Sequence, residues 1–193
     1  MNEGHRQFLA SPEWAQMLES DLLPWVRSVA DLGDDVLEVG PGPGLTTDLL
    51  RQLSSKVTAV EVDEQLATAL TARLTGTNVQ VIHGDASDLD LPADRFSAAT
   101  CFSMLHHVPS PETQDSVFAE VCRVLRPGGA FIGTDSIDDE LIRLFHEDDV
   151  FVPVDPDTLG SRLEAVGFTA VTVDVAGYQV RFHATKGASP VDN

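Results

Sequence analysis

Short runs of apolar residues alternate with longer amphipathic segments along most of the chain. Apolar, β-branched runs predict strands, and apolar residues that recur every third or fourth position predict helices. Helices are predicted at Leu45–Leu53, Glu64–Leu74 and 111–125. Strands are predicted at 36–39, 57–62, Val79–His83, 98–102, 130–134, 170–175 and Gln179–Lys186.

The order of these elements favours an α/β fold. Strands that alternate with helices through short connections form a parallel sheet with helices on both faces. Only residues 176–178, which include the turn-like Ala176 and Gly177, separate the last two strands, which predicts an antiparallel hairpin at one edge. We therefore expect a Rossmann-like, doubly wound, seven-stranded and mostly parallel sheet with an antiparallel C-terminal hairpin, in three α/β/α layers.

The segment before the first strand has a helical pattern of its own. Apolar residues from Trp14 to Val29 recur at helical spacing after Ser11 and Pro12, and Pro24 predicts a break. We expect residues 1–186 to form a single domain, in which 1–31 make a helical cap over the mouth of the sheet. The last residues, 187–193, read GASPVDN and predict a disordered tail.

Composition and charge exclude several classes of partner. Hydrophobic residues make up 42% of the 193 residues, which is typical of a globular domain. The formal net charge of −19 argues against nucleic acid and anionic membrane surfaces, because binding to polyanions requires clustered lysine and arginine. No secretory signal pattern or membrane span is visible, so we expect a cytoplasmic protein. Cys101 and Cys122 are interpreted as core thiols.

The stretch VLEVGPGPG, residues 36–44, carries the first functional signal. Glycines at a strand-to-helix turn allow positive φ angles and let a ligand approach the backbone closely. The amides that begin the next helix then point towards that ligand. Gly40, Gly42 and Gly44 therefore predict a nucleotide-like cofactor at the end of the first strand. The alternative is a tight turn without a ligand.

The spacing of these glycines differs from that of dinucleotide sites. Those sites have G-x-G-x-x-G, whereas here Leu45 holds the position of the late glycine. The stretch resembles motif I of the class I S-adenosylmethionine-dependent methyltransferases, E/D-x-G-x-G-x-G. Further segments resemble the same family in the same order: VTAVEVD, VIHGDASDLDLP, FSAATCFSMLHHV, VLRPGGAFIGTD and LEAVGF. One departure is Ser97, which stands where the family often has aspartate.

The resemblance implies S-adenosylmethionine as cofactor, S-adenosylhomocysteine as product, and a set of binding residues. Glu38 would help hold the ammonium group, and Glu61 would accept hydrogen bonds from both ribose hydroxyls. Asp85, followed by Ala86, would contact the adenine amine. The complete set of cofactor-binding candidates is Glu38, Gly40, Pro41, Gly42, Gly44, Glu61, Val62, Asp85, Ala86 and Phe102. Simpler readings are a solvated strand end for Glu61 and a loop cap for Asp85.

The resemblance places the acceptor beyond the fourth and fifth strands, under a lid formed by the cap and by residues 135–157. His106 and His107 are candidate general bases there, since the pKa of imidazole lies near neutral pH. They equally suit packing or a bond to backbone, and in-line alignment alone accelerates methyl transfer. His146, beside Glu147 and Asp148, lacks the paired-histidine spacing of a metal site, so no metal is predicted.

The small size and acidic surface favour a small-molecule acceptor and transfer to an O, N or C nucleophile. Two other functions stay open. One is a catalytically silent S-adenosylmethionine-binding scaffold or regulatory protein, because a fold keeps cofactor binding when an acceptor pocket is lost. The other is a nicotinamide-dependent oxidoreductase, which the glycine spacing and the terminal hairpin argue against. No motif selects an oligomeric state or one acceptor atom.

Overall fold

The computed structural model describes residues 3–188, apart from the side chains of Glu3, His5 and Arg6. The strands in this part of the chain are β1 (Asp35–Val39), β2 (Lys56–Glu61), β3 (Val79–His83), β4 (Phe96–Phe102), β5 (Leu125–Ser136), β6 (Phe168–Ala176) and β7 (Gln179–Lys186). They form a seven-stranded sheet in the order β3-β2-β1-β4-β5-β7-β6. The first five strands are parallel, and β7 runs antiparallel to both β5 and β6. The predicted fold class is confirmed.

The described helices are α1 (Glu3–Leu9), α2 (Pro12–Met17), α3 (Leu23–Val29), α4 (Leu45–Leu53), α5 (Glu64–Leu74), α6 (Pro111–Val124), α7 (Glu140–Phe145) and α8 (Pro156–Ala165). They cover both faces of the sheet. Val36 belongs to one buried apolar cluster and the next residue, Leu37, to a second. Because successive strand residues point to opposite faces, the two clusters are the two cores of a three-layer structure.

Helix caps explain why the predicted starts of two helices are correct. The Asp63 carboxylate accepts hydrogen bonds from Gln65 N and Leu66 N and so begins α5. Gly44 precedes α4 in the left-handed region, with φ at +87°. Both signals are local, and the sequence therefore contains them.

The N-terminal segment differs from its prediction at Pro24. The chain does not break there, because a π-helical turn, Leu18–Leu22, joins α2 directly to α3. The turn resets the hydrogen-bond register, so that Pro24 falls in the first turn of α3, where its missing N–H costs little. Trp14, Leu18, Leu22 and Val26 are buried along this run and pack on the sheet.

The structure describes only the first two residues of the predicted tail. Residues 187–188 follow β7, and the rest of the predicted tail, 189–193, lies outside the described residues. Within the predicted lid, 135–157, the end of β5 is followed by the short helix α7 and an extended segment before α8. Between residues 3 and 188, no helix has both the length and the apolar composition that crossing a membrane needs.

Candidate cofactor and acceptor site

A cavity of about 480 Å³ opens at the carboxyl ends of β1, β2 and β4. Its position is the one where open α/β sheets bind ligands, at the point where the strand order reverses. Three of the predicted site residues, Glu38, Gly44 and His106, do not line it. Those that do are Gly40, Pro41, Gly42, Glu61, Val62, Asp85, Ala86, Phe102 and His107.

The glycine turn is built from three residues with positive φ. A Cβ on Gly40 would lie 2.2 Å from Met104 Cγ, and one on Gly44 would lie 2.3 Å from Leu70 Cδ1, so these positions serve close packing. Gly42 differs, because a Cβ there would meet nothing within 4 Å, although its φ is +53°. Gly42 therefore leaves room on the cavity side of the turn, where it lines the wall.

Glu61 ends β2 with its carboxylate fixed at the cavity. The backbone N–H of Gly42 donates to its Oε2 at 2.9 Å, and that of Asp63 donates to its Oε1 at 3.0 Å. The side chain is buried although it is charged. A carboxylate has about four acceptor positions, so each oxygen keeps capacity for a further donor such as a hydroxyl.

Glu38, which the resemblance implies would help hold the ammonium group, lies behind the cavity wall and does not line it. Its carboxylate is buried beside the cavity, where Oε1 accepts from the Thr46 hydroxyl and Oε2 accepts from that of Thr47 at 2.6 Å. Burial raises the pKa of Glu38 to about 7; the two threonine bonds act against this, and the negative charge of Glu61 adds to it. Glu38 thus anchors the first turn of α4 through these two hydroxyls.

Val62 and Asp85, which follow β2 and β3, also line the cavity. Val62 is 67% exposed and lines the cavity, so its side chain offers an apolar surface to a planar group. Asp85 Oδ1 accepts hydrogen bonds from the N–H and the hydroxyl of Ser87, both at 2.8 Å. Asp85 therefore has the loop-capping geometry that the sequence left open, and it also faces the cavity.

The two candidate bases after β4 have different surroundings. His106 is 1% exposed, and its Nδ1 lies 2.6 Å from Asp135 Oδ1. Asp135 also accepts from the backbone N–H groups of Leu105 at 2.7 Å and Ser136 at 2.7 Å. Burial raises the pKa of Asp135, but the facing His106 and these donors outweigh it, and the net shift is downward. His107 is half-buried and reaches the cavity wall.

Sequence reasoning missed a cluster of three imidazoles. His146, from the turn after α7, lies against the His106 and His107 rings at centroid distances of 4.7 Å and 5.4 Å. Burial lowers the pKa of His146, while its bond to the Ile142 carbonyl oxygen acts in the opposite direction. Two helices, α6 and α7, and the long strand β5 separate His146 from the other two along the chain, so no local spacing could have revealed the cluster.

Ser97, the departure from the family pattern, supports the start of β1. Its hydroxyl accepts from Asp35 N at 3.0 Å and lies 2.7 Å from the carbonyl oxygen of Leu32, which can accept its hydrogen. A Cβ on Gly33 would lie 2.6 Å from Ser97 Cβ, so the contact is close. The Ser97 hydroxyl therefore stabilises the backbone at the start of β1.

Comparison with known proteins agrees with this geometry. The family model described as "Methyltransferase domain" matches residues 37–133. A ubiquinone biosynthesis O-methyltransferase from Xanthomonas oryzae is 38% identical over 113 residues, which cover 55% of this chain and 45% of that protein. This chain thus spans less than half the length of that curated relative.

Solved structures share the fold at low sequence identity. The PH0226 protein from Pyrococcus horikoshii superimposes with a TM-score of 0.75 at 22% identity, over 96% of this chain and 99% of that one. The complex of DhpI with S-adenosylhomocysteine gives 0.73 at 23% identity, over 95% and 91% of the two chains. These two similarities show that the three chains share the same fold.

The family match covers half of the chain and includes the glycine turn, the acidic end of β2 and the exit of β4. The chain belongs to the methyltransferase-domain family, and its fold is that of the class I S-adenosylmethionine-dependent methyltransferases. The methyl donor of this family is S-adenosylmethionine.

Proposed function

We propose that this chain binds S-adenosylmethionine in the 480 Å³ cavity and transfers its methyl group to a small-molecule acceptor. A nucleophilic atom of the acceptor attacks the methyl carbon in line while the carbon–sulfur bond breaks, and the sulfur keeps the electron pair. S-adenosylhomocysteine leaves, and the acceptor loses a proton when its nucleophile carries one. The observation that carries this proposal is the Glu61 carboxylate, held at the cavity by the amide of Gly42.

The residues of the proposed cofactor site are chemically complementary to the parts of S-adenosylmethionine. Glu61 has two oxygens for the two ribose hydroxyls, and Gly42 gives the methionine part access to the backbone. Val62 and Phe102 offer apolar surface to the adenine, and Asp85 offers a carboxylate oxygen to the adenine amine. All five line the cavity.

The charge of the site suits a cationic donor. Glu38 and Glu61 lie at the ends of adjacent parallel strands, close enough for Glu61 to raise the pKa of Glu38. A sulfonium and an ammonium group bring positive charge to this acidic end of the sheet, which stabilises the ionised carboxylates. Methyl transfer removes the charge of the sulfonium, so the product is held less strongly by the same field.

The walls beyond the cofactor candidates favour a largely apolar acceptor. Leu9 and Trp14 contribute from the N-terminal cap, and Met104, Val108 and Val117 contribute from the turn after β4 and from α6. Apolar walls with few polar groups are typical of small-molecule sites. The name of the Xanthomonas relative, an O-methyltransferase, supports an oxygen nucleophile.

The cap and the segment after β5 meet near this part of the cavity. Phe8 packs on Trp14 at a centroid distance of 5.5 Å and on Phe145 of α7 at 6.1 Å. We infer that α1 and α7 form the two sides of the lid over the acceptor. Exclusion of water under such a lid favours displacement at the methyl carbon.

Direct proton removal by His106 is not part of this proposal, because His106 does not line the cavity. His107 is the imidazole that faces it. Alignment of the nucleophile, methyl carbon and sulfur supplies the main acceleration, since a positioned bimolecular reaction gains about 7–11 kcal/mol.

The test uses S-adenosylmethionine with a deuterated methyl group and a panel of phenols, catechols, carboxylic acids and amines. Mass spectrometry follows the labelled product together with S-adenosylhomocysteine. We expect turnover with at least one apolar hydroxyl-bearing acceptor. Trp14→Leu should raise the KM for that acceptor and leave cofactor binding unchanged, while Trp25→Leu, on the same helical run but outside the cavity, should keep both.

The competing function, a silent binding or scaffold protein, predicts a different result. Such a protein binds S-adenosylhomocysteine but gives no labelled product with any acceptor of the panel.

The proposed partner is a small molecule and not a nucleic acid. The net charge of −19 supports this choice, because binding to nucleic acid depends on clustered positive charge.

A further inference from the structure

Three imidazoles from two distant segments converge beside the cavity. His106 and His107 lie in the turn after β4, with ring centroids 4.1 Å apart, and His146 follows α7. One nitrogen of each ring can be chosen so that all three lie within 4.8 Å of one another. His106 and His146 are buried, and His107 is half-buried.

The Nδ1 atom of each ring faces an oxygen. His106 Nδ1 lies 2.6 Å from Asp135 Oδ1, His107 Nδ1 lies 3.3 Å from the Val150 carbonyl oxygen, and His146 Nδ1 lies 2.7 Å from that of Ile142. Carbonyl oxygens only accept, and the Asp135 carboxylate already accepts from several backbone amides. Each Nδ1 is therefore the donor, and in a neutral ring Nε2 then carries the lone pair.

This arrangement is typical of metal-binding histidines. A ligating imidazole almost always donates its other N–H to a carboxylate or a carbonyl oxygen, which fixes the ring and its tautomer. We propose that His106, His107 and His146 bind a divalent transition-metal ion through their Nε2 atoms, and Zn²⁺ is the ion to test because imidazole nitrogen is one of its usual ligands. Tetrahedral Zn²⁺ needs ligand nitrogens roughly 3.4 Å apart, so the three rings would have to settle at that separation around the ion.

Surrounding bonds hold the two segments in place. Val152 N donates to the His106 carbonyl oxygen at 2.8 Å. The buried amide of Gln114 donates to the carbonyl oxygens of Leu105 and Val152, both at 3.0 Å. Phe151 stacks on the His146 ring at 4.6 Å. The cluster thus has a supporting shell as well as three ligands, which a site of defined geometry needs.

The position of the cluster gives the ion access to the acceptor. His107 lines the cavity, and three protein ligands leave a fourth position for water or substrate, as in catalytic zinc sites. A bound ion would act there as a Lewis acid towards an acceptor oxygen. This consequence rests on the proposed function, whereas metal binding itself does not.

The experiment uses the full chain without an affinity tag, freed of metal by a chelator. Zn²⁺ is titrated calorimetrically in a buffer with excess Mg²⁺, which occupies the carboxylates of the acidic surface. His107→Gln and His146→Gln each remove one ligand, and His183→Gln on β7 is the matched control. Co²⁺ is then added in place of Zn²⁺, because cobalt in a low-symmetry nitrogen site absorbs visible light far more strongly than the hydrated ion.

We expect one equivalent of Zn²⁺ with micromolar affinity or tighter, and an intense Co²⁺ spectrum. Both should persist in His183→Gln, and affinity should fall by about 100-fold or more in His107→Gln and His146→Gln. Thermal unfolding without metal is recorded for each variant to show that it folds. If the buried His146→Gln does not fold, the comparison rests on His107→Gln, because His107 is only half-buried. The proposal is overturned if the wild type takes up no Zn²⁺, or if His107→Gln and His183→Gln bind it equally. Stoichiometric uptake would also correct the sequence prediction of no metal.

Discussion

The backbone N–H of Gly42 donates a hydrogen bond to Glu61 Oε2 at 2.9 Å, which joins the glycine turn after β1 to the acidic end of β2. The bond fixes the carboxylate at the cavity before any ligand arrives. A preformed acceptor loses little conformational entropy when a hydroxyl binds to it. Two segments that look like separate motifs in the sequence are therefore joined at the wall of the cavity.

Replacing Glu61 by alanine should weaken binding of S-adenosylhomocysteine by about 1.5–3 kcal/mol, since hydrogen bonds to a charged acceptor are lost. Isothermal titration measures this directly. Glu64→Ala removes the same charge from an exposed position three residues away and should leave the affinity unchanged. An unchanged affinity in Glu61→Ala would contradict the ribose role of this carboxylate.

Gly42→Ala tests whether Gly42 is required only for its backbone conformation or also for the approach of the ligand. A Cβ meets no protein atom within 4 Å at either Gly42 or Gly76, and φ is positive at both, +53° and +80°. Each alanine variant should therefore lose about 1–2 kcal/mol of unfolding free energy through backbone strain. Only Gly42→Ala should also lose cofactor affinity. Equal affinities in the two variants would mean that no ligand approaches Gly42.

The pKa of Glu38 predicts a pH dependence of stability. The folded-state pKa of about 7 lies above the ordinary 4.5, so the folded state holds this proton more tightly. The stabilisation is therefore complete below about pH 4.5 and is lost as the pH rises to about 7, a change on the order of 3 kcal/mol. Glu38→Gln keeps a neutral side chain and should gain stability relative to wild type over that range.

Urea unfolding of both proteins at about pH 5 and pH 8 tests this point. Subtracting one profile from the other removes the titration of the many surface carboxylates. Parallel profiles would show that Glu38 is ionised in the folded protein throughout.

Asp135→Ala should lose about 3–5 kcal/mol of unfolding free energy, because it leaves His106 and several buried N–H groups without their acceptor. Asp138→Ala is the matched control, since its ion pair with Arg143 is exposed. That variant should unfold nearly as the wild type does. Chemical denaturation compares them, and similar losses in both would remove the structural role given to Asp135.

The sequence was informative wherever a feature depends on neighbouring residues. α4 and α5 have the predicted bounds because their first residues follow the positive φ of Gly44 and the cap of Asp63. β5 begins earlier than predicted, since Leu125 already pairs with Phe96 across a bulge. The helix α7 is short, without buried residues, and gave no periodic signal.

The site was predictable only in part, for the same reason. Gly42, Glu61 and Asp85 reach the cavity because each lies at the carboxyl end of a strand of the parallel sheet or within three residues after it. The position of Glu38 depends on the two threonines of α4, and that of His146 depends on a segment that returns to the exit of β4. Such contacts are set by packing between distant parts of the chain, which no local spacing encodes.

Isothermal titration of the purified chain with S-adenosylmethionine and S-adenosylhomocysteine, with NAD as control, tests the proposed cofactor site most directly. We predict micromolar binding of both sulfur compounds and none of NAD. Absence of binding for both, or preferential binding of NAD, would contradict the assignment of this cavity to S-adenosylmethionine and with it the proposed methyl transfer.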